Sequence, residues 1–229
     1  MSASSFFDDQ HTSEQLPLPI WFRALRRWEV TRVDVAAALL PTGGALLDVG
    51  CGDGELASRA GQHFARVVAT DVSAAAIEQA RVRCADLPFA QALDFQVLDA
   101  NQPLPFADTS FDTVVSLSTL QYIFDPELFL REVQRVLLPD GKLLLEVPNM
   151  AYLPQRLRLL AGKPIRTSYW KHGIDGGNLH YFTLNSLEQL LSEAGFRSLR
   201  HTGSGVFAAL RSWRPSLLCG NLFVLAARI

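Results

Sequence analysis

The sequence predicts an α/β fold, a doubly wound Rossmann-like sheet with helices on both faces. Apolar runs typical of buried strands alternate with helix-forming stretches, several of these runs end on an aspartate, and a glycine-rich turn follows the first run. With 229 residues, 48% of them hydrophobic, the chain is long enough to bury one sizeable core. We therefore expect a single domain over residues 20–229, preceded by a mobile arm over residues 1–19, which contain few core-forming side chains.

The order of the expected elements follows from the hydrophobic pattern. Helices are predicted near residues 20–40, 54–63, 73–85, 126–138 and 184–194. Strands are predicted near residues 45–49, 66–70, 94–98, 112–116, 142–147, 197–203 and 220–228, which makes seven. In such a sheet a ligand cleft lies at the carboxyl ends of the parallel strands.

The stretch LLDVGCGDGELA, residues 46–57, is the most informative part of the chain. Gly50, Gly52 and Gly54 remove Cβ atoms where a strand turns into a helix, so that a ligand can approach the backbone closely. Their spacing is one residue shorter than the dinucleotide fingerprint, and Asp48 stands just before the turn. A carboxylate there disfavours a pyrophosphate and suits an ammonium or sulfonium group. A cationic ligand is therefore favoured, with a purely structural turn as the alternative.

Two further aspartates end strand-like runs. Asp71 ends ARVVATD, at the distance from the glycines at which a carboxylate accepts both hydroxyls of a ribose. Asp99 ends FQVLD and is placed to accept a hydrogen bond from an exocyclic amine such as that of adenine. A strand-end aspartate is also a common turn former or helix cap, so each has a structural alternative. Three aspartates in register with one glycine loop favour a nucleotide site.

Together these segments resemble the class I S-adenosylmethionine-dependent methyltransferases, from about residue 21 to the end of the chain. The stretches similar to the family's successive strand motifs are LLDVGCGDGELA, VVATDVS, FQVLDAN, FDTVVSLSTLQYI and LLPDGKLLLEVPN. The later stretch GNLHYFTLNSLEQLLSEAGF resembles MetW-like and related small-molecule methyltransferase domains. The resemblance implies a sheet in the order 3-2-1-4-5-7-6 with its last strand antiparallel. It also implies S-adenosyl-L-methionine as cofactor and S-adenosyl-L-homocysteine as its product.

The resemblance further implies which residues would hold the cofactor. The methionine end would lie near Asp48 and the backbone of Gly50, Cys51, Gly52 and Gly54, and the ribose on Asp71. Adenine would lie near Val72, Asp99 and Ala100, and the ammonium group near the backbone of Ser116 and Leu117, with Gln121 on the same turn. In related enzymes an arginine of the N-terminal helix meets the cofactor carboxylate. Arg26 is the candidate here, with a solvated helix charge as the alternative.

Residues 149–183 are longer than a simple crossover needs, and we interpret them as a lid over the acceptor substrate. Their stretch AYLPQRLRLLAGKPIRTSYWKH is basic and contains no acid. It suggests an anionic acceptor, a carrier-bound substrate or an acidic membrane surface, with a solvated helix face plus loop as the alternative.

A general base is needed only for some acceptors, and His180 in NLHYFT is the first candidate because histidine titrates near neutral pH. Tyr181, Tyr122, His172 and Asp175 are weaker candidates. A packed, hydrogen-bonded His180 is the alternative. The family often has histidine where this chain has Tyr122, which leaves room for a protein that binds the cofactor without turnover.

The expected function is methyl transfer to a small-molecule acceptor by in-line displacement. One alternative is a weakly catalytic or non-catalytic S-adenosylmethionine-binding regulator of a partner enzyme. A nicotinamide-dependent oxidoreductase is disfavoured by Asp48 and by the glycine spacing. The acceptor, the attacked atom and the oligomeric state stay open.

Composition and residue spacing argue against several kinds of partner and site. A net charge of -2 argues against a nucleic-acid partner. Cys51, Cys84 and Cys219 lack the spacing of a disulfide framework or a zinc site, so we expect a reducing cytoplasm. No metal site is expected, since no second acid falls where a catechol-type enzyme would place one. The longest apolar run, LLCGNLFVLAA, is too short to span a membrane.

Overall fold

The computed structural model describes residues 31–165, 177–204 and 214–229. The predicted arm over residues 1–19 and the candidates Arg26, His172 and Asp175 lie outside the described residues. In chain order the elements are α1 (Arg32–Leu39), β1 (Ala45–Val49), α2 (Glu55–Ala60), β2 (Arg66–Asp71), α3 (Ala74–Cys84), β3 (Leu93–Val97), β4 (Phe111–Leu117), α4 (Pro126–Val136), β5 (Leu137–Pro148), α5 (Leu153–Leu160), α6 (Leu184–Glu193), β6 (Phe196–Ser204), α7 (Pro215–Leu218) and β7 (Asn221–Arg228).

The seven strands form one sheet in the order β3-β2-β1-β4-β5-β7-β6. Strands β1 to β5 pair in parallel, whereas β7 runs antiparallel to both of its neighbours. This confirms the order and the antiparallel last strand expected from the family resemblance. Because β1, β2, β3, β4 and β5 point the same way, their last residues and the turns that follow lie together, and we call this the carboxyl edge.

Most helices begin where a side chain caps the first turn. Thr31 and Asp34 form a reciprocal capping box at α1, and Ser73 caps α3 by accepting a hydrogen bond from the amide of Ala76 at 3.1 Å. Asp125 caps α4 just before Pro126 in the first helical turn. These signals explain why the predicted starts of α3, α4 and α6 agree with the structure to within a few residues.

Two apolar cores cover the two faces of the sheet. One packs β-strand residues against α4 and α6, and includes Leu47, Leu145, Leu130 and Leu187. The other packs the opposite face against α1, α2 and α3, and includes Leu46, Leu144, Ala36, Leu56 and Ile77. Because strand side chains alternate between faces, Asp48 and Glu146 follow Leu46 and Leu144 onto the α1 side of the sheet.

The structure corrects the predicted pattern in two places. Strand β5 begins at Leu137, earlier than the predicted residue 142, because it continues directly from α4 and pairs there with Phe111. The predicted helix over residues 126–138 accordingly ends at Val136. Helix α5 was not expected as a separate element and lies within the segment interpreted as a lid. No helix among the described residues is both long and apolar enough to cross a membrane.

Candidate active site

The glycine loop joins β1 to α2 in a left-handed backbone conformation. Gly50, Gly52 and Gly54 have φ angles of 79°, 55° and 74°. A Cβ on Gly50 would lie 1.9 Å from Thr119 Oγ1, and a Cβ on Gly54 would lie 2.8 Å from the Cβ of Ala80. The packing of the chain itself therefore requires glycine at positions 50 and 54, whether or not a ligand is bound. This is what a purely structural turn, the alternative to a ligand-binding loop, would also require.

Asp71 holds the glycine loop against the end of β2. Its Oδ2 accepts a hydrogen bond from the amide of Gly52 at 2.9 Å, and its Oδ1 accepts one from the amide of Ser73 at 2.9 Å. The amide of Cys51 donates to the carbonyl of Thr70, also at 2.9 Å. Each carboxylate oxygen can accept further bonds, so Asp71 can position the loop and still receive the hydroxyls of a ligand.

Asp99 is fixed by a network that reaches the turn after β4. Its Oδ1 accepts hydrogen bonds from the amide and the side chain of Asn101, at 3.0 and 2.9 Å. The side-chain oxygen of Asn101 in turn accepts from the amide of Phe124 at 2.7 Å. Val72 and Ala100, the other predicted adenine contacts, are half-buried after β2 and β3. The carboxyl edge therefore brings together the predicted ribose and adenine residues.

Asp48 is a buried carboxylate at the end of β1. Only 2% of the residue is exposed. Burial, with a contribution from the charge of Asp71, raises the pKa of Asp48 from 3.8 to about 7, although the charge of Arg32 opposes this rise. Burial likewise raises the pKa of the neighbouring Cys51 thiol, which therefore stays protonated and is not a thiolate nucleophile at neutral pH.

Four buried side-chain atoms have no hydrogen-bond partner among the described residues. They are Asp48 Oδ2, Ser116 Oγ, Gln121 Oε1 and Glu146 Oε1. All four belong to the ends of β1, β4 and β5 or to the turn after β4, and we call this set the polar edge. Leaving such an atom unpaired costs about 1–3 kcal/mol. The arrangement therefore fits a ligand that brings hydrogen-bond donors, such as an ammonium group, to the carboxyl edge.

Glu146 is the first of two site residues that sequence reasoning missed. It is fully buried, and its Oε2 accepts a hydrogen bond from Ser118 Oγ at 2.5 Å. Ser118 has a left-handed φ of 54°, and its amide donates to the carbonyl of Glu146 at 2.9 Å. Burial raises the pKa of Glu146, opposed by the charge of Arg32 and by the bonds from Ser118. A single acid inside the apolar run LLLEVP was the available signal.

Arg32, at the start of α1, is the second residue that was missed. Its guanidinium donates a hydrogen bond to Ser118 Oγ at 3.1 Å, and its charge acts on both Asp48 and Glu146. The predicted arginine of the N-terminal helix was Arg26, which lies outside the described residues. Among the residues that are described, Arg32 is the arginine that α1 brings to the polar edge.

His180 lies where the sequence placed the return of the lid. The carbonyl of Gln121 accepts hydrogen bonds from the amides of Leu179 and His180, at 2.9 and 3.1 Å. The His180 ring nitrogen Nε2 lies 3.4 Å from the carbonyl oxygen of Phe124. Tyr122 is half-buried on the turn that contains Gln121, whereas Tyr181 is 48% exposed. The structure thus places His180 and Tyr122 at the β4 turn and leaves Tyr181 at the surface.

Comparison with known proteins identifies the family. Residues 47–145 match the family described as Methyltransferase domain. The ubiquinone/menaquinone biosynthesis C-methyltransferase UbiE of Desulfotalea psychrophila is 30% identical over 75% of this chain and 72% of that protein. The ubiquinone biosynthesis O-methyltransferase of Xanthomonas oryzae pv. oryzae is 29% identical over 72% of this chain and 71% of that protein.

A solved structure shares the fold. Magnesium protoporphyrin IX methyltransferase (ChlM) from Synechocystis PCC 6803, with bound SAH, has a TM-score of 0.67 at 17% identity, and the match covers 99% of this chain and 95% of that one. The chain belongs to the class I S-adenosylmethionine-dependent methyltransferases. It is accordingly a methyltransferase enzyme whose cofactor is S-adenosyl-L-methionine. The narrower likeness to MetW-like domains stays a prediction.

Proposed function

We propose that this methyltransferase acts on a small-molecule acceptor that enters at the β4–β5 side of the carboxyl edge. The observation that carries the proposal is the polar edge. There the unpaired oxygens of Asp48 and Gln121 would receive the methionine end of the cofactor, and the unpaired oxygen of Glu146, at the end of β5, would be left to accept a hydrogen bond from an acceptor. S-adenosyl-L-methionine supplies an activated methyl group on a sulfonium when it is bound. The protein's own contribution is to align the acceptor with that group, and alignment can account for roughly 7–11 kcal/mol of a reaction barrier.

Residues at the ends of different strands would contact different parts of the cofactor along the carboxyl edge. Asp71 would receive the ribose hydroxyls, and Val72, Asp99 and Ala100 would contact adenine. The methionine end would lie against Asp48 and the backbone of the glycine loop, residues 50–54, and near Ser116, Leu117 and Gln121. Support comes from the hydrogen bonds of Asp71 and Asp99, which fix both carboxylates without using all of their acceptor capacity.

Asp48 would couple cofactor binding to protonation. A positively charged ligand group beside the carboxyl favours its ionised form and lowers its pKa. Since the pKa of Asp48 is raised to about 7 in the free protein, binding near neutral pH would release a proton from this group. The negative charge of the same carboxylate would repel a phosphate at this position.

The acceptor side would be closed by residues 149–183. The segment leaves the sheet at the end of β5 and returns at His180, where two amides bond to the carbonyl of Gln121. His180 is the proposed general base for acceptors that must lose a proton, with Tyr122 and Tyr181 as weaker candidates. One relative is named a C-methyltransferase and another an O-methyltransferase, so the acceptor class is a separate question from the cofactor.

Calorimetric titration with S-adenosyl-L-methionine, S-adenosyl-L-homocysteine and NAD tests the cofactor assignments. We expect micromolar binding of the two sulfur nucleotides, about -8 kcal/mol, and no binding of NAD. Asp71→Ala should weaken this binding by about a hundredfold, because hydrogen bonds to a charged group are worth about 1.5–3 kcal/mol each.

The matched control is Asp86→Ala, which removes an exposed aspartate between α3 and β3, at the other end of the sheet. Equal affinity of the Asp71 and Asp86 variants would contradict the ribose assignment. Binding with no methyl transfer to any of a broad panel of acceptors would instead favour the regulatory alternative.

A further inference from the structure

Helix α5 exposes an apolar stripe. None of its residues is buried. Leu153, Leu157 and Leu160 are 39%, 55% and 84% exposed, and at helical spacing they lie along one side. Leu159, 52% exposed, adds apolar surface on a neighbouring side. A helix that belongs to a globular core turns its apolar stripe inward, whereas the described residues leave much of this stripe uncovered, most of all at Leu160.

The same helix is basic. Arg156 and Lys163 are exposed, and Arg158 is half-buried. Residues 149–165 contain no aspartate or glutamate, although the whole chain has a net charge of -2. Arg156 and Arg158 donate through Nε to the backbone carbonyls of Ala151 and Pro164, at 2.6 and 3.1 Å. In the described part of the chain none of the three cations forms an ion pair.

The residues just before α5 are anchored to α7, to the residue that follows α7 and to the segment that precedes α6. The side chain of Asn149 donates to the carbonyls of Ser216 and Cys219, at 2.9 and 2.8 Å, and its oxygen accepts from the amide of Ala151 at 2.9 Å. The amide of Met150 donates to the carbonyl of Phe182 at 2.9 Å. The exposed leucines are therefore presented from a fixed position close to the end of β5, which also contributes Glu146 to the polar edge.

An anionic membrane surface would match both the exposed apolar stripe and the positive charge of α5. Leucines on one side with arginines and lysines beside them are typical of helices that lie at the boundary between headgroups and acyl chains. Anionic headgroups attract the cations, and the acyl region receives the leucines. An apolar protein groove would match the leucines alone, and a nucleic acid would match the cations alone. A helix about 12 Å long inserts shallowly, so the binding would be reversible.

We propose that α5 and the residues that follow it to Lys163, the leucine–arginine helix, dock this protein on an anionic membrane surface. Docking at this position brings the β5 end of the carboxyl edge towards the bilayer, where an amphiphilic acceptor would reach it. The consequence for the acceptor depends on the proposed function, whereas membrane binding itself does not.

Vesicle co-sedimentation of the full chain tests the proposal. The vesicles are phosphatidylcholine alone and phosphatidylcholine with about one third phosphatidylglycerol. We expect binding to the anionic vesicles only, and less binding as salt is raised, because charges on a surface are screened. Leu157→Gln with Leu160→Gln, and separately Arg156→Glu with Arg158→Glu, should each reduce the bound fraction at least about tenfold.

The matched controls change exposed residues of β6. Leu199→Gln replaces a leucine that is 45% exposed, and Arg197→Glu with Arg200→Glu reverses two exposed cations. These variants should bind vesicles as the wild type does. The proposal is overturned if the wild type ignores anionic vesicles, or if the α5 and β6 variants lose binding equally.

Light scattering tests whether a second copy of the chain, instead of a membrane, covers the apolar stripe of α5. A dimer that becomes monomeric in the Leu157→Gln, Leu160→Gln variant would overturn the proposal, because a second copy would then cover the stripe. Calorimetry with S-adenosyl-L-homocysteine on the same preparations keeps the two proposals apart. Retained nucleotide binding with lost vesicle binding is the expected result for the α5 variants, whereas lost nucleotide binding by the wild type would count against the proposed function alone.

Discussion

At the polar edge the chain buries side-chain oxygens that have no hydrogen-bond partner among the described residues, whereas at α5 it leaves leucines exposed to water. The two regions depart from opposite rules of protein architecture. Each unpaired buried oxygen costs about 1–3 kcal/mol, and each fully exposed leucine forgoes about 1.5–3 kcal/mol of burial. The two regions therefore suit different kinds of binding partner. The polar edge offers hydrogen-bond acceptors to a ligand that brings donors, and α5 offers apolar surface to an apolar phase.

Substitutions should also have different consequences in the two regions. At the polar edge, burial raises the pKa of Asp48 and Glu146 and the charge of Arg32 opposes this rise, so a substitution there alters both stability and ligand binding. Side chains on α5 have few neighbours to lose, so a substitution there alters binding to a surface and leaves stability almost unchanged. Departures of this kind are expected at functional sites.

Among variants of the polar edge, Asp48→Asn should have the largest effect on stability. The raised pKa of about 7 means that between about pH 4 and pH 7 the folded protein holds a proton that the unfolded chain has released. The contribution of Asp48 to stability therefore falls as the pH rises through this window and stays low above it. At pH 8 the asparagine variant should be more stable than the wild type, by up to about 4 kcal/mol.

Urea unfolding of both proteins at pH 5 and pH 8 measures this effect. The variant's advantage should be greater at pH 8, and the variant should bind S-adenosyl-L-methionine more weakly than the wild type, because it cannot offer a carboxylate to a cation. A stability difference that does not change with pH would contradict the raised pKa. Asp94→Asn, at an exposed aspartate of β3, is the matched control and should show neither change.

Arg32→Gln should act in the opposite direction and more weakly. It removes the positive charge that opposes the raised pKa of both Asp48 and Glu146, and it breaks the bond to Ser118. We expect a loss of about 1 kcal/mol of stability at pH 8 and less at pH 5, where the two carboxyls are more protonated. Thermal or urea unfolding at the two pH values measures it.

A double-variant cycle sharpens this prediction. Glu146→Gln should recover part of the stability that Arg32→Gln loses, because one of the two buried charges is then gone. Arg66→Gln, at the exposed amino end of β2, should change stability by no more than about 0.5 kcal/mol. Additive losses in the Arg32 and Glu146 cycle would show that the two groups do not interact.

Parts of the molecule that depend on local pattern were predictable from the sequence. Strands β1 and β2 were predicted to within one residue, because apolar runs between turn residues leave little choice of boundary. The strand-end residues Asp48, Asp71 and Asp99 could be grouped from the sequence alone, because parallel strands must bring their carboxyl ends together. The early start of β5 was missed because Pro139 and Asp140, which has a φ of 60°, are residues typical of a turn.

Glu146 and Arg32 were missed for a different reason. Arg32 and Ser118 are 86 residues apart in the sequence, and only the packing of α1 on the sheet brings them together. A single acid in a strand or a single arginine on a helix has many ordinary explanations when it is taken alone. The same limit applies to α5, since leucines at helical spacing usually indicate a buried face, and the sequence does not show which face remains uncovered.

Leu160→Ala should have the smallest effect on stability and gives the plainest test of the comparison. Leu160 is 84% exposed on α5, whereas Leu187 is fully buried on α6 between the sheet and the other helices of its face. Alanine at Leu187 should cost about 2–5 kcal/mol, because it leaves a cavity in a packed core. Alanine at Leu160 should change stability by no more than about 0.5 kcal/mol, because few contacts are lost. Urea unfolding of the two variants decides the matter: a large loss at Leu160 would mean that the stripe is covered within the folded protein, and α5 would then have no apolar surface to offer a membrane.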